Sequence, residues 1–377
     1  MDRFIPLSVP NIKGNEQSYV DDALALEWVS TGGAYITRME KAVAEYTKTP
    51  EAVACQSGTA ALHLSLICCG VEPGDEVIVP TLTFVAAVNP VKYAGAEPVF
   101  MDCDDSLCMD MDKLALFFEE ECDHTGGSLT DRRTGRRIAA VIVVHVFGNI
   151  ADMEKLMDMG KRYGFPVIED ATEALGSRVE KGRYAGRFAG TIGDIGAYSF
   201  NGNKIITTGG GGMLVSSRPG WLDRARYLST QAKDDPVYFV HNAIGYNYRM
   251  TNVQAAIGVG QMERLEDFIE TKRKNYRCYI ENGIPLLPFR EGTRPNYWFY
   301  SYLAERRDEL VRYLDRNRIQ SRPVWHLIHT LKPYENCRSY RMEKAPYYGD
   351  RIINLPCSTN LSEREVARVA RTIKQFG

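Results

Sequence analysis

The chain has 377 residues, of which 44% are hydrophobic and 25% are charged, and its formal net charge is −2. This length allows about two domains with large cores. The near-neutral charge excludes the strongly basic surface that a nucleic acid or an anionic membrane would attract.

Seven apolar runs of strand length alternate with stretches of helical periodicity up to about residue 250. The predicted strands cover residues 52–55, 76–80, 98–102, 139–148, 165–170, 195–200 and 211–217. Continuous apolar strands that alternate with helices are typical of a mostly parallel sheet with helices on both faces. We therefore predict a large α/β domain over residues 1–250.

The pattern changes after residue 250. Residues 251–282 predict one long amphipathic helix with charges on its outer face. Short strand-like pieces follow, and residues 361–376 predict a final helix that Ser362 caps, with Glu363 and Glu365 in its first turn. We predict a smaller α+β domain over residues 251–377.

Residues that could bind a ligand follow the first two predicted strands. In open α/β sheets, ligands bind at the carboxyl ends of the strands. Ser57, Gly58 and Thr59 open a helix after residues 52–55, and free amides at a helix N-terminus suit a phosphate, although Ser and Thr are also ordinary N-caps. Phe84 comes just beyond residues 76–80, where an aromatic ring either stacks on a planar ligand or packs into the core.

Ionisable side chains follow two later strands. Asp170, after Glu169, closes residues 165–170, and a half-buried acid there needs a cationic ring nitrogen, an arginine or a helix N-terminus as its partner. Ser199 lies at the end of the strand 195–200, and Lys204 follows between a polar turn and two isoleucines. Most lysines are solvated, but this one precedes four glycines, residues 209–212, in a tight apolar segment.

Together these residues form the set that pyridoxal phosphate requires of a protein. A lysine forms the Schiff base, a carboxylate keeps the pyridine nitrogen protonated, and backbone amides bind the phosphate. The glycine run would let the backbone pass close to the cofactor, with a plain flexible turn as the alternative.

Nearly the whole chain resembles the DegT/DnrJ/EryC1/StrS sugar aminotransferases. The resemblance is carried, in order, by "WVSTGGAYITRMEKAVAEY", "SGTAALHLSL", "PTLTFVAAVNPV", "VIEDATEALGS", "SFNGNKIITTGGGGM", "GYNYRMTNVQAAIG" and "LPCSTNLSE". It implies the aspartate-aminotransferase-like, type I pyridoxal-phosphate fold. The wording of two of these motifs looks most like the branch that acts in legionaminic-acid and related amino-sugar pathways.

The resemblance also implies roles for single residues. Lys204 would carry the cofactor covalently, Asp170 would partner the pyridine nitrogen, and Phe84 would stack on the ring. The residues implied to hold the phosphate are Gly58, Thr59 and Ser199, together with Asn247 from the neighbouring subunit of a homodimer.

The implied reaction transfers an amino group from L-glutamate to the ketone of a nucleotide-linked 4-keto-6-deoxy sugar. The product would be a nucleotide amino-sugar for surface glycan or nonulosonic acid biosynthesis. The sequence leaves open which nucleotide base the substrate carries.

Three further positions stay open. Glu173 stands where the family commonly has Gln or His near the phenolic oxygen of the cofactor, so the hydrogen bonding of that oxygen is undecided here. Arg249 and His326 fall where substrate contacts often lie, and a structural role is an equal alternative for each.

Three other functions agree less well with the sequence. A sugar dehydratase of the same fold would replace the lysine, often with His, so Lys204 argues against it. A non-catalytic relative that senses a nucleotide-sugar or regulates transcription is disfavoured by the intact pair of Lys204 and Asp170 and by the lack of an added DNA-binding segment. A nicotinamide dehydrogenase would need Gly-x-Gly-x-x-Gly after the first strand, and that motif is absent from the sequence there.

The nine cysteines include no Cys-x-x-Cys pair and no histidine at ligand spacing, which predicts free thiols and no metal site. No apolar run reaches the roughly 18 residues of a membrane span. The first ten residues also lack the layout of a signal peptide. We therefore expect a cytoplasmic protein.

Overall fold

A computed structural model describes residues 3–377. An eight-stranded sheet forms its centre, with strands β1–β8 numbered here in chain order. They are Ala52–Cys55, Glu76–Pro80, Glu97–Met101, Ile138–Val144, Val167–Asp170, Ile195–Ser199, Gly212–Ser216 and Ser339–Tyr340. The spatial order is β1-β7-β6-β5-β4-β2-β3-β8.

Most neighbouring strands of this sheet are parallel. β6, β5, β4, β2, β3 and β8 form one parallel series, whereas β7 is antiparallel to both β6 and β1. Every residue of β1, β2 and β4–β7 is buried, as expected where both faces of a sheet are covered. The predicted α/β fold with a mostly parallel sheet is confirmed.

Twelve α-helices lie within residues 3–377. They are Glu16–Ala25, Ala34–Thr47, Gly58–Cys68, Asn89–Tyr93, Met111–Glu121, Met153–Tyr163, Trp221–Ser229, Asn252–Met262, Leu265–Glu281, Arg307–Arg316, Lys344–Arg351 and Glu363–Phe376. Short 3-10 turns cover Val85–Ala87, Val146–Gly148 and Ile328–Thr330. Two-stranded ribbons pair Cys122–Thr125 with Ser128–Asp131, Arg178–Val179 with Thr293–Arg294, and Lys233–Asp235 with Val240–His241.

A second, three-stranded sheet lies in the C-terminal part of the chain. Its central strand, Ile352–Leu355, pairs with Tyr300–Leu303 and with Arg322–Pro323. The N-terminal segment joins this part of the fold, because Ile5 forms a bridge with Ile319.

The predicted boundary at residue 250 stays a prediction, because elements cross it in space. Strand β8, from residues 339–340, extends the central sheet beside β3. The helix Asn252–Met262 packs against the helices Glu16–Ala25 and Ala34–Thr47.

The prediction of one long helix over residues 251–282 is wrong. The segment forms two helices, Asn252–Met262 and Leu265–Glu281, because the backbone leaves helical geometry at Arg264, where φ is −118°. The first helix packs on the N-terminal helices and the second on the final helix, so they face different neighbours. No glycine or proline marks the break, and the sequence therefore gave no local signal for it.

Candidate active site

The carboxyl ends of several central strands meet at one edge of the sheet. β5 and β6 are parallel neighbours that end at Asp170 and Ser199. β1 has the same direction as β6, because both are antiparallel to β7. The segment 56–59 that follows β1 therefore reaches the same edge.

A cavity of about 250 Å³, here the first cavity, opens at this edge. Seven of the eight residues predicted for the cofactor line it, namely Gly58, Thr59, Phe84, Asp170, Glu173, Ser199 and Lys204. The structure thus brings together residues that are spread over almost 150 positions of the sequence.

A helix N-terminus faces the first cavity. The Ser57 side chain caps the helix Gly58–Cys68 by accepting the Ala60 N–H at 3.1 Å. The other N–H groups of a first helical turn have no acceptor within the helix, so those of Gly58 and Thr59 remain for an anion. A Cβ at Gly58 would lie only 2.8 Å from Ser199 Cβ, so the close approach of these two segments requires glycine.

The Asp170 carboxyl is buried at the end of β5. Its Oδ1 accepts the N–H of Thr172 at 3.0 Å. Burial raises the pKa of Asp170, and the hydrogen bonding to Thr172 opposes that rise only in part. Such an acid is stabilised as a carboxylate by a cation placed in the cavity.

The neighbouring acid, Glu169, has a different environment. It is fully buried and accepts the N–H of Gly190 and the Nε2–H of His145, both at 2.8 Å. His145 Nδ1 accepts the N–H of Ala151 at 3.3 Å, which places the ring proton on Nε2. Glu169 is therefore satisfied within the protein, and Asp170 is the strand-end acid that lines the cavity.

Lys204 extends into the first cavity from the loop after β6. Its side chain is 11% exposed, and its Nζ lies 4.1 Å from the centre of the Trp298 ring. Burial lowers the pKa of Lys204, while the carboxylates of Glu173 and Asp170 oppose this effect. A lysine with a lowered pKa has a larger fraction of the neutral, nucleophilic amine.

Glu173 lies between the backbone and Lys204. Its Oε2 accepts the N–H of Phe147 at 2.8 Å, and its Oε1 is 3.7 Å from Lys204 Nζ. Burial raises the pKa of Glu173 to about 7, against the opposing charge of Lys204.

The glycine run after Lys204 permits a close backbone contact. A Cβ at Gly212 would lie 2.4 Å from the carbonyl oxygen of Ser57. Gly211 has a φ of +145°, and a Cβ there would collide with the Thr208 hydroxyl. The glycines hold their loop against the segment that precedes the helix N-terminus, so the flexible-turn alternative does not apply to Gly211 and Gly212.

A second cavity of about 330 Å³ shares Phe84, Glu173, Asn201 and Lys204 with the first. Phe84 is 51% exposed, and its ring centre lies 6.3 Å from that of Trp325. Lys204 therefore stands where the two cavities join.

The sequence analysis missed the other residues of the second cavity. These are Leu7, Ser8, Asn203, Trp298, Phe299, Gln320, Arg322, Pro323, Trp325 and Asn354. Arg322 pairs with Asn354 through neighbouring strands, and among residues 3–377 its guanidinium has no acidic partner. The stretch "SRPVW" contains a signal, an arginine three positions before a tryptophan, whereas the predicted residue was His326, directly after this stretch.

Three predicted site residues lie away from both cavities. Asn247 is exposed, and its backbone forms a bridge with Thr230. The Arg249 guanidinium donates to Glu40 and to the carbonyl of Ala54, which ties it into the protein. His326 is exposed outside the second cavity, so this chain by itself brings none of the three to Lys204.

The residues of the first cavity fit pyridoxal phosphate. The Gly58 and Thr59 amides suit its phosphate, the buried Asp170 suits a protonated ring nitrogen, and Lys204 supplies the amine. The steric requirement for glycine at position 58 is the kind of cradle that a bound phosphate needs. The fold and this set of groups define a pyridoxal-phosphate-dependent enzyme.

The chain belongs to the DegT/DnrJ/EryC1/StrS aminotransferase family, whose profile matches residues 10–374. It is similar to proteins named GDP-perosamine synthase from three organisms. The protein from Escherichia coli O157:H7 is 37% identical over 99% of both chains, and that from Caulobacter vibrioides is 35% identical over 98% of both.

Solved structures of related proteins agree with this assignment. The aminotransferase TlmJ from Streptoalloteichus hindustanus superposes with a TM-score of 0.88 at 28% identity, over 99% of this chain and 98% of that one. The structure of DesI with its TDP-sugar product has a TM-score of 0.87 at 25% identity, over 100% of this chain and 93% of that one. The protein is therefore an aminotransferase that uses pyridoxal phosphate.

Between residues 3 and 377, no three His, Cys, Asp or Glu side chains are grouped so that they would hold a metal ion. Over the same residues, no helix has the length and apolar character of a membrane span.

Proposed function

We propose that this aminotransferase transfers the amino group of L-glutamate to the ketone of a GDP-linked 4-keto-6-deoxy sugar. The product would be a GDP amino-sugar for surface glycan or nonulosonic acid biosynthesis. The main support is the position of the buried Lys204 at the junction of the two cavities. The full-length similarity to proteins named GDP-perosamine synthase supports GDP as the nucleotide. The branch of legionaminic-acid enzymes stays a prediction.

When bound, pyridoxal phosphate supplies an aldehyde and a ring that withdraws electrons from the reacting carbon. In our proposal, Gly58 and Thr59 donate their N–H groups to the phosphate and Ser199 its hydroxyl. Asp170 accepts the ring N–H and keeps that nitrogen positive, and Phe84 covers one face of the ring.

Lys204 has two tasks in this proposal. It holds the cofactor covalently between turnovers, and its freed Nζ moves a proton at the substrate carbon. The lowered pKa of Lys204 favours the neutral amine that both tasks require.

The second cavity would receive the two substrates in turn. Arg322 carries a charge without an acidic partner among residues 3–377, which suits a carboxylate of L-glutamate or a phosphate of the nucleotide. Gln320 and Asn354 add polar contacts, and Trp298 and Trp325 supply apolar walls.

The substrate assignment is tested with purified protein, L-glutamate and a panel of GDP-, UDP- and dTDP-linked 4-keto-6-deoxy sugars. We expect 2-oxoglutarate to form fastest with the GDP sugar. The Lys204→Ala variant serves as the blank for each substrate. A clear preference for a UDP or dTDP sugar would refute the GDP assignment, and no turnover with any of them would refute the substrate class.

We further propose that two copies of the chain form a dimer through the ribbon around residues 233–245. Four of its apolar side chains are at least two-thirds exposed, namely Val237, Tyr238, Phe239 and Ile244. Exposed apolar patches of this kind mark interaction sites. Asn247 follows this ribbon directly, so dimerisation would bring it toward the phosphate-binding site of the partner.

Shared sites are expected to allow complementation between two defective variants. Lys204→Ala and Asn247→Ala are mixed after confirming that each alone is defective. If Asn247 serves the partner's site, every mixed dimer has one whole site, and random exchange should restore about a quarter of the wild-type rate. The rate of 2-oxoglutarate formation is measured before and after subunit exchange.

The matched control mixes Lys204→Ala with Asp170→Asn. Both residues line the first cavity of one chain, so no mixed dimer contains a whole site and no activity should return. Equal results for the two mixtures, or a monomer at the assay concentration, would contradict site sharing.

A further inference from the structure

The carboxylate of Glu173 is the acid that forms an ion pair with Lys204. Its Oε1 lies 3.7 Å from Lys204 Nζ, and the Glu173 side chain is only 2% exposed. The Trp298 ring covers the ammonium from another side at 4.1 Å. Lys204 therefore lies between a carboxylate and an aromatic face, with little access to water.

The surrounding backbone fixes Glu173 in this place. The Phe147 N–H binds Oε2 at 2.8 Å, so Oε1 is the oxygen that remains for Lys204. Asn296 Nδ2 donates to the Glu173 carbonyl at 2.9 Å, and Asn296 Oδ1 accepts the N–H of Trp298 at 3.0 Å. One asparagine thus orders both neighbours of the lysine.

A lysine ammonium forms no bond to carbon until it has lost a proton. The Lys204 and Glu173 side chains are only 11% and 2% exposed, and separated charges are costly where the dielectric is low. We propose, on the basis of the proposed role of Lys204, that Glu173 is its proton acceptor. One proton passes from Lys204 Nζ to Glu173 Oε1, so that an ammonium and a carboxylate become a neutral amine and a neutral carboxylic acid.

This transfer balances without another reactant, and it removes two buried charges. Burial brings the pKa values of the two groups closer together, because it raises the pKa of Glu173 to about 7 and lowers that of Lys204. The 3.7 Å separation exceeds a hydrogen bond, so the lysine chain must move slightly toward Oε1 before the proton passes. A neutral glutamine at this position would have no site for the proton.

One other titratable group faces the pair directly. Asp170 acts on both Glu173 and Lys204 through its charge. His145, whose Nε2–H is bound to Glu169, lies behind Asp170 and bears on its pKa. The test must therefore separate the Glu173 titration from that of Asp170.

The experiment uses cofactor-free protein, since it needs no turnover. Acetic anhydride acetylates neutral amines, and peptide mass spectrometry gives the labelling rate of Lys204 at each pH, with the exposed Lys48 as internal standard. In the wild type we expect the labelling rate of Lys204 to rise in two steps as the pH increases, with a plateau of at least one pH unit between them. The plateau reports the neutral pair, whose population does not change while the pair holds one proton.

Glu173→Gln keeps an oxygen for the Phe147 N–H but removes the acid, so a single rise is expected. Glu173→Asp keeps an acid and should restore two steps, and Asp170→Asn should leave the two steps in place. A single rise in the wild type with a midpoint higher than in Glu173→Gln would refute the proposal, because Glu173 would then be only a counter-ion.

A second measurement covers the case in which Glu173→Gln does not fold. Infrared difference spectra between the wild type and Glu173→Asp, both labelled with ¹³C-glutamate, should show a protonated glutamic acid at the pH of the plateau. The subtraction removes the signal of Glu76, whose pKa burial also raises to about 7. No such band would refute the transfer. Neither readout depends on the proposed substrate, whereas failure of Lys204 to carry the cofactor would appear separately, as borohydride fixation on a different residue.

Discussion

Replacing Lys204 with alanine is expected to abolish amino transfer, with a loss of roughly 10⁴-fold or more, because one residue supplies both the covalent link and the proton transfer. Lys204→Arg should be equally inactive, since its guanidinium keeps the charge but does not lose a proton. Both variants should retain some pyridoxal phosphate through the amides of Gly58 and Thr59. The measurements are the initial rate of 2-oxoglutarate formation and the cofactor content.

Borohydride reduction of the wild type identifies the lysine directly. We expect the cofactor mass on the peptide that contains Lys204. Lys272 is a useful internal comparison, because it is also buried but donates to the carbonyls of Trp298 and Cys357. Label on Lys272 or on any other lysine would end the assignment of Lys204.

The Asp170→Asn variant is expected to lose about 100- to 1,000-fold in rate while it keeps most of its cofactor. The amide can still accept a hydrogen bond, but it does not stabilise the positive charge of a protonated ring nitrogen. The phosphate contacts are unaffected, so binding should suffer much less than turnover. The rate is compared with the cofactor content of the same preparation.

An Asp170→Asn enzyme of near-native rate would show that this carboxylate is not needed for ring protonation. An enzyme that simply loses its cofactor would give Asp170 a binding role instead. Thr172→Ala is a suitable control, because it keeps the Asp170 charge and the Thr172 N–H while it removes a neighbouring hydroxyl.

The central sheet was predictable because most of its strands are buried along their whole length and read as largely apolar runs. β1 and β2 begin and end where the sequence analysis placed them. Strand β8 was not foreseen, since the two residues 339–340 are too few to form a pattern. The break at Arg264 was also hidden, because no glycine or proline marks it in the sequence.

The first cavity was predictable from one topological rule, that strand ends in a parallel sheet share an edge. Asp170 and Ser199 end strands and Lys204 follows one, so their places in the sequence indicated their position in space. The second cavity was not predicted from the sequence, because it joins residues near position 8 with residues near 298, 322 and 354. The ion pair of Arg249 with Glu40 likewise depends on contacts across the fold that no local pattern reveals.

The contacts between the N-terminal segment and the C-terminal part of the fold have a consequence for the growing polypeptide on the ribosome. Leu7 leaves the ribosome early, but the Cys357 N–H that its carbonyl accepts at 2.8 Å is made some 350 residues later. At ~5–20 residues per second, this delay is roughly 20 to 70 s. Residues 57–211 supply the whole first cavity, so the nascent chain contains all of that cavity's residues well before the second cavity can be assembled.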